Sequence, residues 1–159
     1  MLYFILKYLH IIGATVLLGT GSGIAFFMLV AQIQGSPAVI AGVARIVVIA
    51  DFVFTATAVI AQPVTGLLLV WAAGYSLAEG WIMWSLALYV LTGLFWLPVV
   101  WMQVRLRDLA TAAVEKNEPL PDVYYRIFMW WCAFGVPAFV SVAIIFWLMI
   151  AKPQVQFFY

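Results

Sequence analysis

The chain has 159 residues, 68% of them hydrophobic and only 8% charged, where soluble domains carry about 25% charged residues and about 45–50% apolar ones. So little polar surface cannot cover a water-soluble globule, and lipid is the expected solvent. The net charge of +1 comes with no basic stripe that would mark nucleic-acid binding, and the single cysteine, Cys132, excludes an intrachain disulfide, a Cys-x-x-Cys-His haem attachment and any multi-cysteine metal site.

A membrane helix needs roughly 20 apolar residues, and four stretches supply them, at about 2–32, 43–73, 81–102 and 123–151. In the first, Lys7 lies inside the apolar run, which is too long for a signal peptide, so an uncleaved membrane helix is expected. "QGSP" (Gln34 to Pro37) then supplies turn chemistry. In the second, Pro63 releases the Val59 carbonyl from the helical ladder, so a kink is expected near Gln62. "AGYSLAEG" (Ala73 to Gly80) makes a short polar hairpin before the third span. The alanine-rich start of "RLRDLATAAVEKNEPLPD" (Arg105 to Asp122) extends the third helix into water, "NEPLP" stops it, and Asp122 is placed to cap the fourth. Lys152-Pro153 ends the fourth helix.

The first two stretches approach 30 residues, about 45 Å of helix, against a hydrocarbon core of about 30 Å, so they tilt or project. Both termini share one side with Lys7 and Lys152, while Arg45, Arg105, Arg107, Lys116 and Arg126 share the other. The positive-inside rule puts the five-charge side in the cytoplasm. The expectation is one all-α domain spanning 1–159, a four-transmembrane-helix bundle of the bacterial inner membrane with both termini periplasmic. Trp71, Tyr75, Trp81, Trp84, Tyr124, Tyr125 and the tail aromatics Phe157, Phe158 and Tyr159 are expected at the interfaces.

Ionisable or polar groups within a span are functional candidates. His10, the only histidine, shares a helical face with Lys7 and is followed by the small residues Gly13 and Ala14, with Leu17 and Gly21 beyond. An imidazole beside a shallow slot suits a flat macrocycle such as haem, with Lys7 placed to meet a propionate. The same histidine equally suits a hydrogen bond to a neighbouring helix. A second axial ligand would come from Met83, Met149 or Lys152, which share its depth, and Gln62 is placed to bond a ligand or propionate. Met28, Met102 and Met129 lie at the wrong depth. A five-coordinate haem, or one shared by two copies of His10 in a homodimer, needs no such partner.

Asp51, Thr55 and Gln62 fall on one inward face of the second span. Asp51 either pairs with Arg45 or Arg126 or belongs to a proton or ion pathway. Gln103 is expected to bond locally. Thr15, Gly19 and Gly23 form a small-residue stripe suited to close helix packing. "GTGSG" is no phosphate loop, having neither a strand before it nor a lysine after it.

The blocks "LKYLHIIGATVLLGTGSGIAFFM", "RIVVIADFVFTATAVIAQPVTGLLLV", "GWIMWSLALYVLTGLFWLPVVWMQVRLRDLA" and "LMIAKP" resemble the bacterial predicted integral membrane proteins of unassigned function that share a four-helix core. More distantly the layout resembles HemJ-type protoporphyrinogen oxidases and CopD-like copper-resistance membrane proteins. The Lys-x-Leu-His turn (Lys7, Leu9, His10) and the closing Lys152-Pro153 carry the first of these likenesses. It implies haem b at His10 with Lys152 in support. The stretch "IAFFMLVAQIQ" lacks the arginine and second histidine of that family, so porphyrinogen oxidation is not carried over, and too few soft ligands converge for copper transport. The function expected is haem-b binding through His10 with an electron-transfer or oxidoreductase role, no catalytic residue being assigned. The alternatives are a non-catalytic subunit of a larger membrane complex and an ion pathway through Asp51.

Overall fold

A computed structural model describes residues 1–153; the tail aromatics expected at the interface lie outside the described residues. The chain runs α1 (Leu2–Gln34), α2 (Pro37–Ala50), a π-helical turn (Asp51–Thr55), α3 (Ala56–Ala73), α4 (Gly80–Lys116) and α5 (Asp122–Ala151), with no strand among the described residues. Because α2, the π turn and α3 are continuous, four helical rods result, each long and apolar enough to cross a membrane. The all-α, four-span architecture is as the sequence implies.

The ends of the rods follow local chemistry. Gly35 and Gly74 take the left-handed conformation (φ 71° each) that closes α1 and α3, which costs a residue without Cβ little. Pro37 starts α2, where its missing N–H is no loss. The second rod therefore begins six residues earlier than the hydropathy suggests, and the alanine-rich segment does carry α4 on to Lys116. Asp122 does not cap α5: Pro121 holds that position, and Asp122 is the first helical residue, its carboxylate near the positive end of the helix dipole.

The departure from α-helical bonding in the second rod lies at Asp51–Thr55, and α3 runs through Pro63 to Ala73. The carbonyl that Pro63 releases is Val59 O, and Tyr89 of α4 donates its hydroxyl to it. A partner for the freed carbonyl lets the proline stay inside the helix.

The two ends of the bundle pack differently. At the end bearing the α1–α2 and α4–α5 turns, all four rods meet in a continuous apolar core. Met28, Ile40, Leu106 and Tyr124 are its most enclosed large side chains, and alanines such as Ala44 and Ala110 let the backbones approach. At the end bearing the termini, α1 packs on α3 and α4 on α5, while α3 has little backbone contact with either α4 or α5. Long side chains cross that divide: Tyr89 to Val59, and Lys152 to Tyr75.

Candidate functional site

His10 lies on α1 where that helix crosses α3. Its ring rests against Gly66, where even a Cβ would come within 3.2 Å of the imidazole Cε1. His10 Nδ1 is 2.9 Å from Thr65 Oγ1. The Thr65 hydroxyl in turn donates to the Ala61 carbonyl at 2.8 Å. In the tautomer with its proton on Nδ1, the ring donates to Thr65 while the hydroxyl keeps its bond to Ala61. The other ring nitrogen, Nε2, then carries the lone pair, and it has no hydrogen-bond partner among the described residues.

One turn along, Gln62 of α3 reaches back across the same contact. Its amide donates to the His10 carbonyl at 2.9 Å, and a Cβ on Gly13 would collide with that amide. The small residue after His10 therefore makes room for Gln62, and this corrects the expectation of an open slot beside Gly13. The physical reason is that a buried carboxamide must find partners, and the bare backbone at Gly13 lets it reach a carbonyl. Ala14 is half-buried on the same stretch. His10, Gly13, Gln62, Thr65 and Gly66 thus form one polar clasp between two helices.

The remaining cofactor candidates are not gathered there. Lys7 is exposed, its ammonium 5.9 Å from the Tyr3 ring centroid. Met83 is 49% exposed on α4, and Met149 is half-buried on α5. Lys152 Nζ donates to Tyr75 Oη at 2.9 Å and stands over the Tyr75 and Trp81 rings, 4.8 and 5.4 Å from their centroids. It clamps the end of α5 to the α3–α4 turn.

Asp51, Thr55 and Gln62 are all buried, at 3%, 6% and 8% exposure, as their common face requires. The expected arginine partner for Asp51 is not present. Arg45 and Arg126 are exposed, and the one ion pair among the described residues joins Arg107 to Asp108. Six helical residues turn the chain by about 240°, which carries Arg45 off the face of Asp51. The indole of Trp96 donates to Asp51 Oδ1 over a long 3.4 Å, while Asp51 Oδ2 and Thr55 Oγ1 are buried with no hydrogen-bond partner.

Three further expectations change. The Thr15–Gly19–Gly23 stripe packs on no other helix among the described residues. Thr15 is exposed and bonds to Ile11 O, a Cβ at Gly19 would meet nothing, and one at Gly23 would meet only Phe27 of its own helix. The face of α1 that packs runs instead through Leu6, Ile24, Met28 and Ala31. Gln103 forms no local bond through Oε1, which is buried and unpartnered. Tyr124 is buried in the apolar core and Trp81 is buried beside Tyr75 and Lys152, while Trp71 and Tyr125 keep the exposure expected of interfacial aromatics.

Sequence reasoning missed Thr65, Gly66, Tyr89 and Trp96. Thr65 was within reach: it continues the 51–55–58–62 stripe by one more step of three. Tyr89 and Trp96 sit on another helix, and nothing within their own segment marks them.

Among the described residues no three His, Cys, Asp or Glu side chains gather at a metal-binding point. Residues 4–153 match the model of the DUF2269 family, predicted integral membrane proteins. No curated protein and no solved structure matches the chain. With nearly its whole length matched, the chain belongs to that family of integral membrane proteins, and its working environment is a lipid bilayer.

Proposed function

For this member of a membrane-protein family we propose a haem-b-binding role. It sits in the bacterial inner membrane with both termini in the periplasm, holding the iron through His10 and serving electron transfer or another redox step. The observation that carries the reading is the state of the imidazole. Metal-ligating histidines give their second ring N–H to a fixed acceptor, which sets the tautomer and the ring orientation. Thr65 stands where it can do this for His10: with the ring proton on Nδ1, the hydroxyl accepts it and Nε2 is left as a lone-pair donor.

The residues present fit such a group at the ligand atom. Gln62 closes the Gly13 side, so only the Nε2 side of the ring is offered. At this end α3 and the turn after it are joined to α4 and to the end of α5 by side chains, Tyr89 to Val59 and Lys152 to Tyr75. Lys7, exposed at the same end, supplies a cation for a propionate. The likeness of the Lys7–His10 turn to the HemJ-type proteins supports the same assignment. When bound, the haem would supply one-electron chemistry; the protein supplies ligand, orientation and a dry surround. The test is titration of the purified protein in detergent with haem. Wild type binds, and Thr65→Val binds about 10–100-fold more weakly, the usual effect of losing a ligand's supporting partner. Equal binding by both would remove Thr65 from the account.

One observation favours a second reading. Asp51 Oδ2 and Thr55 Oγ1, both without partners, sit on a π turn, and such turns recur at functional sites. A proton or ion pathway through Asp51 predicts that Asp51→Asn abolishes flux across liposomes; unchanged flux ends that reading.

A further inference from the structure

At the end of the bundle away from the termini, α2 and α4 border a cavity of about 380 Å³ whose charged residues are Arg45, Arg107, Asp108 and Glu115. Its depth can be read along the helices. Arg45 lies about 26 residues from Trp71, and Arg107 about 26 from Trp81, close to 39 Å of helix in each case. Trp71 and Trp81 flank the turn at the opposite end. A bilayer measures about 40–45 Å with its headgroups, so the cavity stands in the headgroup layer of the other leaflet.

Two guanidiniums and two carboxylates make this cavity neutral overall, and one pair among them, Arg107 with Asp108, is formed. Arg107 donates through Nε and Nη2 to a single oxygen of its neighbour Asp108, at 2.9 and 2.8 Å. Both side chains of that pair are substantially exposed, at 33% and 49%, so solvent screens the pair. Arg45 and Glu115 have neither an ion pair nor a hydrogen bond among the described residues.

The order of the charges is directional. Arg45 and Arg107 share one level, and Glu115 lies two turns further along α4, towards water. Glu115 and Arg107 line the same cavity. A phospholipid headgroup presents its charges in the same order, phosphate nearer the acyl chains and ammonium outermost. Guanidinium forks suit phosphate, and a carboxylate accepts from a primary ammonium. A headgroup with net negative charge would meet the same carboxylates as repulsion. A choline head has no N–H to give them.

We propose that this cavity binds the headgroup of a zwitterionic, primary-amine phospholipid, with its phosphate on Arg45 and Arg107 and its ammonium at Glu115. The site stands at the other end of the bundle from His10, and neither depends on the other.

The test is native mass spectrometry of the delipidated full chain, titrated with phosphatidylethanolamine, phosphatidylglycerol and phosphatidylcholine of identical acyl chains. One phosphatidylethanolamine per chain is expected, held about tenfold more tightly than either of the others, the discrimination of one charged hydrogen bond. Arg45→Gln weakens it about tenfold. Glu115→Gln leaves a phosphate site and erases the preference over phosphatidylglycerol. Equal binding of the three lipids, tightest binding of phosphatidylglycerol, or displacement by excess inorganic phosphate would each overturn the proposal. Should either variant fail to fold, the lipid series on the wild-type chain decides alone.

Discussion

At the scale of single residues, the contact between His10 and α3 shows how one missing side chain organises several present ones. Gly13 lets the Gln62 amide reach the His10 carbonyl, and Gly66 lets the imidazole lie on α3 with Nδ1 at Thr65. A methyl at position 13 would meet the Gln62 amide, the far end of a flexible side chain, so Gly13→Ala displaces that amide from the His10 carbonyl. Losing a hydrogen bond of this kind costs about 0.5–1.5 kcal/mol. Gly13→Ala should lower stability in a denaturant titration in mixed micelles by about that amount, and adding Gln62→Ala should recover part of it, because the clash and its partner disappear together. Simple additivity of the two substitutions would show that they do not meet. Asp51 is the counter-case at this scale: a buried carboxylate whose second oxygen has no partner, left so because the nearest arginine in sequence lies on another face of its helix.

At the scale of elements, the second rod carries two irregularities, and each has a physical cause. The π turn spans the two residues, Asp51 and Thr55, whose polar side chains point inward without full satisfaction. Pro63 sits inside α3 because Tyr89 takes up the carbonyl it releases. Tyr89→Phe removes that donor and leaves Val59 O unpartnered in an apolar surround. Hydrogen bonds between membrane helices are worth about 0.6 kcal/mol on average and about 1.7 at most. The loss should fall in that range, read as the shift in unfolding free energy, and accelerated amide exchange should be confined to α3 near Val59. Exchange unchanged there would mean the proline is accommodated some other way.

At the scale of the whole molecule, much of the architecture was legible before any coordinates. Lipid requires long apolar runs with internally satisfied backbones, and four such runs separated by "QGSP", "AGYSLAEG" and "NEPLP" leave little choice of topology. The inward face of Asp51, Thr55 and Gln62 followed from helical periodicity alone. What was not legible is register between helices. Nothing in α1 says that the space at Gly13 belongs to Gln62 of α3, and nothing in the first rod says that the Thr15–Gly19–Gly23 stripe is left without a partner among the described residues. Aromatic residues near helix ends look alike in sequence whether they stay exposed, as Trp71 does, or are buried in the protein, as Trp81 and Tyr124 are. The histidine was picked out by being the only one; its supporting partner, Thr65, emerges only when two helices are brought together.

The same scale separates two ends with different physics. The end with the α1–α2 and α4–α5 turns is a closed apolar core, and at the end with the termini long side chains tie α3 and the turn after it to α4 and to the end of α5. The proposed haem role depends on the second, looser end, and within it on one imidazole nitrogen. The most direct measurement is a reduced-minus-oxidised absorption spectrum of the full chain, purified in detergent after expression with haem available, taken beside His10→Ala prepared in parallel. A b-type α band and a shifted Soret band in the wild type, both lost in His10→Ala with helicity unchanged, are the predicted result. No haem bands in the folded wild type, or bands retained in full by His10→Ala, would contradict it.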